Sequence, residues 1–105
     1  MADHSSPQIS LRAATGNANG ATSDFGGVQR ACSMVAVGTG TLAGTLTIQA
    51  SLDGSAWVST GVTAALTAAA TVSATASNFA FRYWRVVLSG ASGTGTVTAR
   101  ITTIP

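Results

Sequence analysis

The sequence predicts an all-β chain: a single antiparallel β-sandwich of jelly-roll type with about seven or eight strands. Three observations carry this expectation. Apolar and polar residues alternate with period two through several segments, most regularly in residues 45–52 and 96–102. Turn residues punctuate the chain at the short intervals a sandwich requires. Ala, Thr, Gly and Ser supply 60 of the 105 residues, so the core is built from small side chains and long helices lack their usual Leu, Glu and Lys.

The elements follow in order. Residues 8–12 form a short strand with Ile9 and Leu11 inside, and residues 15–23, with Gly16, Asn17, Asn19 and Gly20, a polar loop. A strand runs from about Val28 to Val37 and stops at Gly38-Thr39-Gly40. In residues 45–52, Leu46, Ile48, Ala50 and Leu52 point one way and Thr45, Thr47, Gln49 and Ser51 the other. Asp53-Gly54 turns that strand into a short one at residues 56–59, because Gly supplies the positive φ of a tight hairpin. Residues 64–76 are rich in Ala but interrupted by β-branched Thr and Val; they read as a loop or short helical turn, then a strand from about Ala70. Residues 81–88, a Gly-rich turn over 90–95, and a last strand with Val97, Ala99 and Ile101 inside complete the sandwich. Residues 1–7 are an N-terminal arm and residues 8–105 the domain.

The segment Phe81-Arg82-Tyr83-Trp84-Arg85-Val86-Val87-Leu88 differs from the rest. Trp84, Val86 and Leu88 make one apolar face, while Phe81, Tyr83 and Val87, with Arg85 among them, make the other. A strand apolar on both faces is covered on both, here by a loop of the chain or by another subunit. The expected core comprises Leu11, Phe25, Met34, Val35, Leu46, Ile48, Leu52, Trp57, Phe79, Trp84, Val86, Leu88, Val97 and Ile101. Small residues bury little area each, which favours oligomerisation as part of the stabilisation.

Charge excludes several function classes. Lys and Glu are absent, and the charged residues are Arg12, Arg30, Arg82, Arg85 and Arg100 against Asp3, Asp24 and Asp53, for a net charge of +2. Five scattered Arg do not make the basic stripe of a nucleic-acid binder. At 8% charged and 46% hydrophobic the chain is not of disordered composition. The start has no basic region followed by an apolar run, and no window is apolar enough for a membrane span. Catalytic groups are sparse: His4 is the only His and lies in the arm, Asp53 belongs to a turn, and no cluster has zinc or calcium spacing. No cofactor is expected. Gly38-Thr39-Gly40 with Gly44 resembles a dinucleotide fingerprint but lacks the following helix. The single Cys32 reads as a small buried hydrophobe rather than a reactive thiol or an intersubunit disulfide. Trp57, next to the hairpin turn, is the residue that could stack on a sugar, and Arg82 and Arg85 could pair with acidic groups of a neighbour.

Three patterns together resemble a group of small bacteriophage structural proteins. They are Asp24-Phe25-Gly26-Gly27 leading into a strand; Leu46 to Asp53-Gly54-Ser55-Ala56-Trp57; and Phe81-Arg82-Tyr83-Trp84-Arg85-Val86-Val87-Leu88 followed by a Gly/Ser/Thr turn and a closing strand. The resemblance spans about residues 20–103 and implies a non-enzymatic virion protein, made in the host cytoplasm. Its role would be capsid decoration or cement, with a tail, neck or fibre component as the alternative. Its partners would be the major capsid protein or another virion protein, together with copies of itself, a trimer being the expected oligomer. The absence of Lys and Glu, which interface cores disfavour, fits such a role. The expected contacts are Phe81, Tyr83, Arg85 and Val87, with the arm from Met1 to Gln8 reaching a neighbour. Asp53-Gly54 with Trp57 and Arg82-Tyr83 with Arg85 are also similar to discoidin-type modules, which implies a carbohydrate ligand stacked on Trp57. Those modules are generally longer, often carry a disulfide and display ligand-contacting spikes, whereas this chain has one Cys and its loops at residues 15–23, 38–44 and 90–95 contain no aromatic residue.

Overall fold

Period-two alternation is realised as seven antiparallel strands: β1 (Gln8–Ala14), β2 (Ala18–Asn19), β3 (Ser23–Gly38), β4 (Ala43–Ser51), β5 (Trp57–Leu66), β6 (Thr71–Ser92) and β7 (Val97–Ile104). They come from a computed structural model that describes residues 8–104. Hydrogen-bonded neighbours run β1-β7-β3-β6-β4-β5, and β2 adds to β6. Among the described residues no helix is long and apolar enough to cross a membrane.

Two strands are too long for one layer. β3 has 16 residues and β6 has 22, and each passes through both layers of the sandwich. The first layer is β1, β7, residues 31–38 of β3 and residues 71–77 of β6. The second is residues 23–29 of β3, residues 81–92 of β6, β4 and β5, with β2 beside β6. A molecule 19 Å across its thinnest direction accommodates two sheets packed ~10 Å apart with their outer side chains. At the crossing the inward set changes parity. In β6 it passes from Val72, Ala74 and Ala76 to Phe79 and Phe81, then to Trp84, Val86 and Leu88. The pairing of β3 with β6 slips twice over the same stretch, between Asp24 and Gln29 and between Gln29 and Ala31. Five residues of β3 stand against two of β6 at the first slip and two against four at the second, and these irregularities let one strand change its inward set and serve two layers.

The core lies between the layers. Cys32, Met34, Ala36, Val97, Ala99 and Ile101 meet Leu46, Ile48, Ala50, Trp84, Val86 and Leu88, all essentially inaccessible. Trp84 is the largest of them; its indole N–H donates to the Phe81 carbonyl (3.0 Å), so the ring is buried without an orphaned donor. In β1 the register slips between Ile9 and Leu11, so the consecutive residues Ser10 and Leu11 both turn inward. The Ser10 hydroxyl accepts from the Val86 N–H (2.9 Å) and donates to the Ala21 carbonyl (3.2 Å), tying the first layer to the second. Gly20 donates to the Val86 carbonyl in the same place, where any Cβ would collide with Ser10 Oγ and that carbonyl.

The structure corrects several element-level expectations. β4 ends at Ser51, so Leu52 enters the turn and is 67% exposed instead of continuing the core alternation. Val35 points outward at 48% exposure, because Cys32, Met34 and Ala36 occupy the inner face of β3. Trp57 is half-buried on the outside of the second layer, and Phe25 and Phe79 pack only at the core's margin. The helical turn considered for residues 64–76 does not form. β5 continues to Leu66, a turn closed by the Ala70 N–H on the Thr67 carbonyl (3.2 Å) follows, and β6 starts at Thr71. The strand over residues 81–88 is one stretch of β6, and the polar loop after β1 contains the short β2.

Candidate interaction surface

The outer face of the second layer carries Arg85, Tyr83 and Trp57 in register. Directly paired residues of antiparallel strands share a face. Tyr83 of β6 therefore stands beside Ser51 of β4 and Trp57 of β5; Arg85 beside Gln49 and Ser59; and Val87 beside Thr47 and Thr63. The Arg85 guanidinium carbon lies 4.2 Å from the centroid of the Trp57 ring, and its Nε donates to Gln49 Oε1 (2.8 Å). Desolvation against these neighbours lowers the Arg85 pKa from its ordinary value, and the group stays charged at any physiological pH. Arg85 is thus held in one pose, with one face of the indole occupied by the cation.

The β4–β5 connection lies at the Tyr83 end of this column. Asp53 Oδ1 accepts from Ser55 N (2.8 Å), Ala56 N (2.9 Å) and the Ser51 hydroxyl (3.0 Å). The Ser51 hydroxyl in turn accepts from the N–H groups of Asp53 (3.2 Å) and Gly54 (2.9 Å). The Ala56 and Ser55 amides, then the Ser51 hydroxyl, hold the Asp53 carboxyl below the usual carboxylate range. Gly54, at φ 78°, fits the turn, and a Cβ there would stand in ordinary contact with the Tyr83 ring, 3.6 Å away. The second apolar face expected for residues 81–88 is therefore partly covered by the chain's own hairpin, and Tyr83, Arg85 and Val87 remain half-buried.

Phe81 does not belong to this column. The parity change in β6 turns it inward, where its ring meets Trp84 edge-on at 6.1 Å and packs against the core. Arg82 instead forks onto Asp24, Nε to Oδ1 at 2.8 Å and Nη2 to Oδ2 at 3.0 Å. Its guanidinium also stands 5.4 Å from the Tyr83 ring centroid. Asp24 Oδ1 accepts from the Gly26 N–H as well (2.9 Å). Arg82 first, and that amide second, lower the Asp24 carboxyl pKa. The Asp-Phe-Gly-Gly segment is thus a local turn joined to β6.

The other candidates separate from this surface. Gln8 opens β1, exposed and opposite Ile101, while Met1 and His4 lie outside the described residues. Cys32 is fully buried inside its own chain, where it packs as a small apolar side chain, and burial pushes its thiol up to about 12. Gly38-Thr39-Gly40 opens no helix. Thr39 and Thr41 pair with Thr96 and Thr94 of the β6–β7 connection, Thr39 Oγ1 lying 2.9 Å from Thr96 Oγ1. Among the described residues no group of three or more His, Cys, Asp or Glu is placed to hold a metal.

Sequence reasoning did not anticipate the outer face of the first layer. Val35, Val37 and Ile104, each more than 40% exposed, stand there among Ser and Thr, and a shallow hollow of about 200 Å3 lies between Ser33, Val35, Arg100, Ile101 and Thr102. The signal was present in the strict alternation of residues 32–37, whose inner set is Cys32, Met34 and Ala36. Comparison with models of known protein families, with curated proteins and with solved structures returned no match for this chain.

Proposed function

We propose that the chain is a non-enzymatic virion structural protein that decorates a bacteriophage capsid and docks through the outer face of β4, β5 and β6. The observation that carries the reading is that face: Tyr83, Val87 and an Arg85 already stacked on Trp57 and fixed by Gln49. Arg and aromatic residues are what interface cores favour, and a charge that is pre-ordered and partly desolvated loses less on docking. The sequence patterns that resemble phage structural proteins lie on the same elements: the β4–β5 hairpin, the Asp24 turn and residues 81–88 of β6. As cement, each copy bridges neighbouring shell subunits, and repetition over the shell makes a modest site affinity effective.

The test is to probe purified phage particles from the cells that carry the gene, using antibody against the recombinant protein and quantitative gels. A copy number comparable to the major shell subunit supports capsid decoration. A handful of copies per particle replaces it with a tail or neck role, and absence from particles overturns both. Within the decoration reading, the Tyr83→Ala/Arg85→Ala double variant binds depleted particles at least tenfold more weakly. Unchanged binding would move the docking surface elsewhere.

A further inference from the structure

The first layer ends in an unusual edge. Residues 71–77 of β6 pair along one side with residues 31–37 of β3 in unbroken register. Among the described residues no strand is hydrogen-bonded along the other side. Natural sheets blunt such edges with charge, Pro, bulges or short length. The two other long edges follow that rule: β1 carries Arg12 and two register shifts, and β5 carries Gly61 and a register shift against β4. The edge Thr71-Val72-Ser73-Ala74-Thr75-Ala76-Ser77 has no charge, no Pro, no Gly and no shift.

Its sequence is also complementary to itself. Antiparallel pairing with a copy about Ala74 sets Thr71 opposite Ser77, Ser73 opposite Thr75, Val72 opposite Ala76 and Ala74 opposite Ala74. Hydroxyls face hydroxyls on the outer side, and small apolar groups face one another on the inner side. The chain already uses such rungs, between Ser33 and Thr75 (3.0 Å) and between Thr39 and Thr96 (2.9 Å). A copy also completes the burial of Val72 and Ala74, which are half-buried against the core. No like charges are brought face to face.

We propose that residues 71–77 of β6 form a strand-pairing edge for a second copy of this chain. The two first layers then join into one sheet, β1-β7-β3-β6 continuing into β6-β3-β7-β1 of the copy, through an isologous two-fold contact. Both Val35–Arg100 faces come to lie on the same side of the joined sheet, and the Tyr83–Arg85 surface stays free on the other layer. The contact builds a dimer, and it stands independently of the capsid reading.

Sedimentation velocity on the full chain tests it, from about 10 µM to about 1 mM because the contact is small next to a standard interface. The expected result is a concentration-dependent dimer. In Ser73→Lys/Thr75→Lys each Lys faces a Lys of the copy, weakening association by about tenfold or more. In Ser73→Lys/Thr75→Glu the same positions face opposite charges, and the dimer persists. Both residues are exposed, and thermal unfolding checks that each variant folds. Should the double-lysine variant fail to fold, amide exchange on the wild type decides, since the outward amides of residues 71–77 slow as concentration rises. A monomer throughout, a dimer or trimer indifferent to the lysines, a Lys/Glu variant that dissociates like the double-lysine one, or exchange independent of concentration overturns the proposal.

Discussion

The Arg85–Trp57 stack gives the most direct test of whether the proposed docking face is ordered before docking. The guanidinium carbon sits 4.2 Å from the ring centroid at a half-exposed site, where a cation–π contact contributes ~0.5–1 kcal/mol. Arg85→Ala also removes the 2.8 Å hydrogen bond to Gln49, a further ~0.5–1.5 kcal/mol. The single variant therefore costs about 1–2.5 kcal/mol, and each kcal/mol lowers Tm by ~4–8 °C in a domain of this size. Arg85→Lys recovers less than half, because the ammonium keeps the charge but loses the planar stack and the Nε donor. A double-mutant cycle with Trp57→Ala isolates the stack, with an expected coupling of ~0.5–1 kcal/mol. Urea unfolding followed by the fluorescence of the buried Trp84 reports all four species, since that ring is inaccessible in the core and untouched by either change. A coupling indistinguishable from zero would refute the reasoning. The pose of Arg85 would then be incidental, and nothing would be pre-ordered for a partner.

Other outcomes follow from the interior. Ser10→Ala leaves the buried Val86 N–H without its acceptor and costs ~1–3 kcal/mol in urea unfolding. Gly20→Ala costs at least as much, because the new methyl meets the Val86 carbonyl as well as Ser10 Oγ, and its effect adds poorly to that of Ser10→Ala. Cys32 does not react with a thiol reagent at about pH 8 until the protein is unfolded. Its folded pKa, about 12, lies above the unfolded one, so its contribution to stability is intact below the unfolded value and is lost as pH rises toward the folded one. Cys32→Ala flattens that alkaline decline. The Asp24 carboxyl shifts the other way: its contribution is present above the ordinary carboxylate range and is lost as pH falls through its depressed value. Asp24→Asn therefore narrows the gap between acid and neutral Tm.

Strands with strict alternation were legible in the sequence. The inward sets Leu46, Ile48, Ala50 and Val97, Ala99, Ile101 follow from period two alone, and the Asp53-Gly54 turn from its residue types. Three kinds of error remain, each with a physical cause. Val35 is as apolar as the residues facing inward, so composition suggested burial where parity with Met34 forbids it. Leu52 continues the pattern of β4, but the Ser51–Asp53 hydrogen bonds end the strand one residue earlier. Phe81 shares parity with Tyr83 and Arg85, yet the slip in β3–β6 pairing between Tyr83 and Phe81 turns it against the core. A parity rule fails at a bulge because the bulge is set by the partner strand, and local sequence does not contain the partner.

The same slips explain how so small a chain presents its groups. A strand confined to one layer would place residues 71–77 and 83–87 of β6 on one continuous face. The two changes of parity instead send the first segment to the edge of one layer and the second to the outer face of the other, with Phe79, Phe81 and Trp84 as the apolar corner between them. One 22-residue strand thereby supplies both surfaces, a bare edge for a copy and an Arg/aromatic face for another partner. The corner is what couples them. Trp84→Phe removes the N–H that holds the Phe81 carbonyl at 3.0 Å and leaves a cavity beside a ring contact of 6.1 Å. The expected loss is ~1–3 kcal/mol, with amide exchange quickening at residues 77–84 before the core of β4. Exchange that quickens uniformly along the chain would instead make the corner an ordinary part of the core, with no local role in setting the two surfaces apart.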